Sequence, residues 1–290
     1  MLEPHPQRPG FWKYAGLVLL GIFVVLFAVF FTLQQNPEET VPPESRQGEH
    51  AAERFQTGRF QTGTLIPLIA HFIYGLWDTT PMPSHYVKTV EQWTQQGWKT
   101  VVWDRESVET LLKKYPVWEA LYQSYERKIQ GADLARYVVV YDQGGFYFDC
   151  DCGPLHRSLK NYMIYTAYDS TSLFFVENVQ PDAWIRTTAH RFPIRQGINE
   201  HHERLANFSF GAAAQHPALK AILDTVQQRC LKNPGRVDDY GVLYTTGPDA
   251  VTDTLFPLRQ SCSMEQLTVI DHSPFMKHTM TGTWRHHRDH

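Results

Sequence analysis

Asp149 and Asp151 close the run Gly144-Gly145-Phe146-Tyr147-Phe148-Asp149-Cys150-Asp151. Two glycines precede an aromatic stretch that reads as a strand and ends in two carboxylates one residue apart. Side chains at i and i+2 of a strand share a face, so both carboxylates are expected to reach one cation from the end of a single strand. Gly153-Pro154 then turns the chain and puts the pair at a rim. Adjacent carboxylates are costly unless something positive lies between them. A hard divalent ion with oxygen ligands is the simplest answer.

The segment before this run supplies a second chemical pair. Ala132 to Tyr141 carries apolar residues at helical spacing and is ended by Gly144-Gly145. Asp133 and Arg136 lie three apart near the first turn of that helix, while Leu134, Tyr137, Val138 and Tyr141 form an apolar face expected to pack on a sheet. Taken alone, the pair is either a surface ion pair or an acid and a base aimed into the cavity that the carboxylate strand faces. Under the second reading, Arg136→Ala is expected to leave the melting temperature nearly unchanged.

Strands and helices alternate around these residues. Leu65 to Tyr74 reads as a strand, Ser84 to Gln96 as a helix and Lys99 to Trp103 as a strand. Ser107 to Lys114 and Val117 to Ile129 read as helices separated by Pro116, and Pro217 opens another that runs to about Cys230. Alternation of this kind predicts an α/β layer with a mainly parallel sheet flanked by helices. Ligands of such sheets sit beyond the carboxyl ends of the strands. His71 to Tyr74, Trp103-Asp104 and Asp149-Cys150-Asp151 are all such ends, and they point to one shared site.

With these residues in view, the chain resembles the glycosyltransferases with a DxD sugar-binding region, of the fungal outer-chain and inositol-phosphorylceramide mannosyltransferase type. The resemblance is carried by Asp133-Leu134-Ala135-Arg136-Tyr137, Tyr141 and the run from Gly144 to Asp151. It extends to Ile66 through Tyr74, Trp93, Val101-Val102-Trp103-Asp104, Asn207 through Gly211, Gln215-His216-Pro217, Thr246-Gly247-Pro248, His278 and Gly282-Thr283-Trp284. In all it covers roughly residues 64 to 285 and is strongest at 131 to 154.

The resemblance implies a GT-A-like, Rossmann-type fold and a retaining transfer of a hexose from a nucleotide-sugar donor to a glycan or glycolipid. GDP-mannose, UDP-galactose and UDP-glucose all suit it, and family membership alone tilts the reading toward mannose. It further implies Asp149, Asp151 and Arg136 as catalytic residues, with Asp149, Asp151 and His278 holding Mn2+ or Mg2+. Donor contacts are expected from His71, Trp103, Asp133, Arg136, Tyr137, Asn207 and Trp284. Asn207 also opens the sequon Asn-Phe-Ser; lining a donor pocket would leave it without a glycan.

Two other classes fit parts of the pattern. A haloacid-dehalogenase-type phosphatase also has an apolar strand ending in Asp-x-Asp, but near the start of its domain, and it needs no DxxR helix. A catalytically inactive sugar-binding protein would keep the fold without the chemistry. Release of nucleotide from a sugar donor separates the transferase from both.

The remaining sequence sets the context. Residues 16–33 are apolar apart from Thr32 and glycines, long enough for a transmembrane helix. Arg8 and Lys13 precede this stretch and Glu38 and Glu39 follow it, which favours a cytosolic tail at 1–15 and an extracytoplasmic remainder. An uncleaved type II anchor in the Golgi or endoplasmic reticulum is preferred to a cleaved signal peptide, since no small-x-small site stands out after it. Residues 34–63 are polar and rich in Pro, Glu and Gln, and are expected to form a disordered stem. Residues 64–290 are then expected to form the catalytic domain. A formal net charge of -3 offers no basic field for nucleic acid. Cys150 and Cys152 alternate with the aspartates and are expected to face away from the cation. Cys230 and Cys262 are free to pair in an oxidising compartment.

Overall fold

The computed structural model describes residues 66–77, 79–179, 203–235, 238–260 and 267–279. The first strand, β1 (Ile69–Ile73), is followed by α1 (Ser84–Gln95) and β2 (Lys99–Trp103). Three helices come next: α2 (Arg105–Leu112), α3 (Pro116–Ser124) and α4 (Lys128–Gln143). Then come β3 (Gly145–Phe148), β4 (Cys152–Pro154), α5 (Leu159–Tyr165), β5 (Ser172–Val179) and β6 (Glu203–Ala212). Helices α6 (Pro217–Lys232), α7 (Asp239–Thr245) and α8 (Pro248–Gln260) precede β7 (Leu267–Asp271) and β8 (Met276–His278).

The predicted α/β layer is present. Six strands form one sheet in the order β2-β1-β3-β6-β5-β7, and β4 and β8 form a separate ribbon. β1 is parallel to β2 and β3, and β5 is parallel to β7. β6 runs antiparallel to both of its neighbours. The sheet is therefore mixed, with one reversed strand among parallel ones, and the carboxyl ends of β1, β2 and β3 lie along one edge.

Alternation along β3 divides the core between the two sheet faces. Tyr147 joins the cluster built with α2, α3, α4, α6 and α8. Phe146 and Phe148 join the opposite cluster with Trp93, Trp98 and Met163. Trp93 stacks on Phe148 at 3.9 Å and donates its indole N–H to the Cys152 carbonyl at 2.9 Å, which fastens α1 to β4.

Several boundaries differ from the sequence reading. β1 is confined to Ile69–Ile73, inside the expected Leu65 to Tyr74. α2 starts at Arg105 because Asp104 and Ser107 cap it reciprocally. The expected helix from Val117 to Ile129 is broken by extended backbone at Tyr125, and α4 begins at Lys128, a turn before Ala132. α4 is not amphipathic in the expected sense: every residue from Gln130 to Val140 is buried.

The Gly144-Gly145 turn behaves as anticipated. Both residues have positive φ, +66° and +103°, a region that side chains rarely enter. A Cβ on Gly145 would also sit 2.7 Å from the Ile69 carbonyl oxygen.

The expected tail at 1–15, the anchor at 16–33, the stem at 34–63, Cys262 and Trp284 all lie outside the described residues. Among the described residues, no helix is long and apolar enough to cross a membrane.

Candidate active site

β3 ends at Phe148, so Asp149 and Asp151 do not share the face of one strand as expected. The chain turns instead: the Cys152 N–H donates to the Asp149 carbonyl at 2.9 Å, and both carboxylates sit on that turn. The turn and the ribbon, rather than the β pleat, bring them together. Cys150 and Cys152 are buried, and burial pushes the Cys150 thiol up to about 12.

The third member of the cluster arrives from β8. Ribbon pairing sets Cys152 opposite His278 and Pro154 opposite Met276. The Thr279 N–H extends the ladder by donating to the Asp151 carbonyl at 3.2 Å. His278 Nε2 then lies 3.2 Å from Asp151 Oδ1 and 3.8 Å from Asp149 Oδ2. One ligand atom from each of the three residues lies within 4.8 Å of the others. Burial opposes a charge on His278, but Asp151 and Asp149 outweigh it and raise its pKa. Two carboxylates and an imidazole at this spacing fit a divalent cation such as Mn2+.

Behind Asp149 lies a buried polar network. Arg136 places Nη1 3.3 Å from Asp149 Oδ1 and Nη2 3.1 Å from Asp133 Oδ1. It also donates to the Asn207 carbonyl at 3.0 Å, and its guanidinium lies 4.9 Å from the centroid of the Tyr147 ring. Tyr147 donates its phenol to Asp149 Oδ1 at 2.6 Å. Asp133 accepts from Asn207 Nδ2 at 3.0 Å and from Thr246 Oγ1 at 2.8 Å. The Tyr137 phenol donates to the Thr246 carbonyl at 2.8 Å.

Asp133 and Arg136 are 2% and 4% exposed, which removes the surface ion pair from consideration. Burial pushes the Asp133 carboxyl up to about 6, against the pull of Arg136, Thr246 and Asn207. The network ties α4 to β3, to β6 and to the turn between α7 and α8.

His71 and Trp103 stand apart from this cluster. His71 is 1% exposed, with Nε2 2.8 Å from the Gly144 carbonyl and Nδ1 accepting from the Trp103 indole at 3.1 Å. A carbonyl accepts and an indole donates, so the ring is the neutral tautomer protonated at Nε2. Burial lowers its pKa to about 4. Both ring nitrogens are committed to the fold, and the pair braces the Gly144-Gly145 turn rather than facing the cation ligands.

An open cleft of about 590 Å³ does lie at the carboxyl ends of β1 and β2, lined by Tyr74, Gly75, Thr79, Val102, Asp104 and Arg105 among others. Its lining includes the ends of β1 and β2 but neither Asp149 nor Asp151, so it covers only part of the shared site expected from the strand ends. Tyr147, Phe208, Thr246 and Thr279 were not anticipated as site residues. Tyr147, Phe208 and Thr246 lie inside stretches whose pattern was noted, whereas nothing in the sequence marks Thr279.

Residues 83–170 match the family model described as glycosyltransferase sugar-binding region containing DXD motif. Among curated proteins, inositol phosphoceramide mannosyltransferase 3 of Schizosaccharomyces pombe is 31% identical over 183 residues, 62% of this chain and 43% of that protein. Inositol phosphoceramide mannosyltransferase 1 of the same yeast is 31% identical over 91 residues, 29% of this chain and 28% of that protein. Mannosyl phosphorylinositol ceramide synthase CSH1 of Saccharomyces cerevisiae is 33% identical over 96 residues, 32% of this chain and 25% of that protein. The chain thus spans less than half the length of these curated relatives. Among solved structures, the PaToxG glycosyltransferase aligns with a TM-score of 0.42 at 14% identity, covering 73% of this chain and 77% of that one.

Proposed function

From its membership of the DXD sugar-binding-region glycosyltransferases over residues 83–170, we propose that this chain is a divalent-cation-dependent retaining hexosyltransferase. Its donor is a nucleotide-sugar, with GDP-mannose favoured over UDP-galactose and UDP-glucose, and its acceptor is a glycolipid or glycan. The observation that carries the reading is the meeting of Asp149, Asp151 and His278 within 4.8 Å, from elements distant in sequence. The names of the yeast relatives support mannose and an inositol phosphoceramide acceptor.

In transfer, the bond between the sugar C1 and the β-phosphate oxygen breaks while a bond from C1 to the acceptor oxygen forms on the same face. The acceptor proton passes to the departing phosphate, so no dedicated base is required. Asp149, Asp151 and His278 would hold a divalent cation, which when bound would supply positive charge to the leaving diphosphate. Arg136 adds a second, permanent positive charge behind Asp149. Asp133 and the Asn207 carbonyl fix that guanidinium, and together with Tyr137 they are the groups proposed to lie beneath the donor sugar. The cleft at the ends of β1 and β2 suits the nucleoside, and Trp284 is proposed to cover it. An uncleaved helix at 16–33 would hold the catalytic domain on the lumenal side of the Golgi or endoplasmic reticulum membrane, beside lipid-linked acceptors.

The test is release of nucleoside diphosphate from a panel of nucleotide-sugars by the purified chain with Mn2+. GDP release from GDP-mannose, stimulated by inositol phosphoceramide and abolished by chelator, is the expected result. Donor binding without release from any member of the panel would make the chain a sugar-binding protein and overturn the reading.

A further inference from the structure

Phe208 grips two of the three cation ligands at once. Its backbone carbonyl accepts the Asp149 N–H at 2.8 Å, one step beyond the last β3–β6 pair. Its ring stacks on His278, with centroids 4.0 Å apart and planes 24° from parallel. The ring is 3% exposed and is flanked edge-on by His272 at 5.3 Å. His272 is in turn fixed to the Val176 carbonyl at 2.7 Å. Phe208 therefore joins β6 both to the carboxylate turn and to the ribbon strand β8.

The other ring nitrogen of His278 gives this stack its weight. A metal-binding imidazole ordinarily donates its second N–H to a carboxylate, carbonyl or water, and that bond fixes its orientation. His278 Nδ1 is buried and has no hydrogen-bond partner among the described residues. The imidazole plane is held by its backbone in the ribbon and by the face of Phe208. An aromatic platform takes the place that a hydrogen-bonded partner usually fills.

The geometry points to Phe208 as the positioning residue of the cation site, acting through His278 to aim Nε2 at the gap between Asp149 and Asp151. This inference rests on the cation reading proposed above. An aromatic side chain is required there, whereas a core position of the same volume would accept any apolar group.

The experiment is Mn2+ titration of the full chain, without donor, followed by electron paramagnetic resonance, with thermal unfolding recorded on each variant. Phe208→Leu and Phe208→Met keep the site apolar but remove the stack; Phe208→Tyr keeps the stack. Loss of an orienting partner typically weakens metal binding about tenfold or more. That loss is expected for Leu and Met, with Tyr within about twofold of wild type. In a His278→Ala background, Phe208→Leu is expected to have no further effect, because its action passes through the imidazole. Wild-type Mn2+ affinity in Phe208→Leu would overturn the proposal. Equal losses with and without His278 would do the same, by reducing Phe208 to general packing. Failure of the wild-type chain to bind Mn2+ would instead bring down the cation site itself, and this inference with it.

Discussion

Arg136 Nη1 stands 3.3 Å from Asp149 Oδ1, although the Arg136 side chain is only 5% exposed. One buried guanidinium thus serves two carboxylates, Asp133 on its own helix and Asp149 on the turn after β3. The sequence suggested a residue that could be removed at little structural cost. Burial changes that expectation, since Arg136→Ala leaves two carboxylates without their counter-charge.

Arg136→Ala is therefore expected to destabilise the protein by about 3–5 kcal/mol, the usual cost of breaking a buried pair from one side. Arg136→Lys should recover only part of this, because an ammonium cannot reproduce the fork that reaches Asp133, Asp149 and the Asn207 carbonyl together. Denaturant unfolding of the two variants measures both effects. An unchanged midpoint for the alanine variant would contradict the buried network.

Tyr147→Phe removes one hydrogen bond and leaves the ring under Arg136. The lost phenol contact to Asp149 is 2.6 Å long and charge-assisted, so about 1.5–3 kcal/mol of stability is at stake. Asp149 Oδ1 would then be held by Arg136 alone. Transfer should fall about tenfold, with a matching loss in Mn2+ affinity.

Asp151→Asn tests the cation chemistry directly. Asparagine keeps the shape of the turn but removes a charge from the ligand set. Turnover is expected to drop at least about a hundredfold, the scale of losing a principal electrostatic stabiliser. Excess chelator should do the same to the wild type, and full activity under either condition would contradict cation dependence.

His71 sets an acid limit on stability. Its pKa is about 4 in the fold against 6.5 in an exposed chain, so the unfolded state binds the extra proton first. The stabilising contribution is fully present above pH 6.5 and is lost as the pH falls toward 4, amounting to about 3 kcal/mol over that window. Protonation would also place an N–H where Trp103 now donates. Unfolding free energies for wild type and His71→Phe across this range should converge as the solution is acidified. Parallel curves would rule out His71 as the source.

The sequence disclosed the parts of the site that depend on local pattern. Lys99–Trp103 was recognised as β2 to the residue, and the helix that became α1 was placed within one residue. Asp149, Asp151 and His278 were grouped before any geometry was known. What stayed hidden depends on packing between distant segments. No local signal reverses β6 or buries α4 on all sides, and none sends the Trp103 indole to His71. The strand-face argument for the two aspartates reached the right neighbours by the wrong local geometry, because a turn can also bring side chains at i and i+2 together.

The β4–β8 ribbon has a consequence for biogenesis. Asp151 and Thr279, which it brings together, are 128 positions apart. A nascent chain still lacking β8 can form the carboxylate turn but has no imidazole to complete the ligand set, and β4 has no ribbon partner. The proposed cation site cannot close before β8 is in place, since contacts of such long sequence separation close late. A chain terminated before β8 would display the two acids without the imidazole that completes the proposed ligand set.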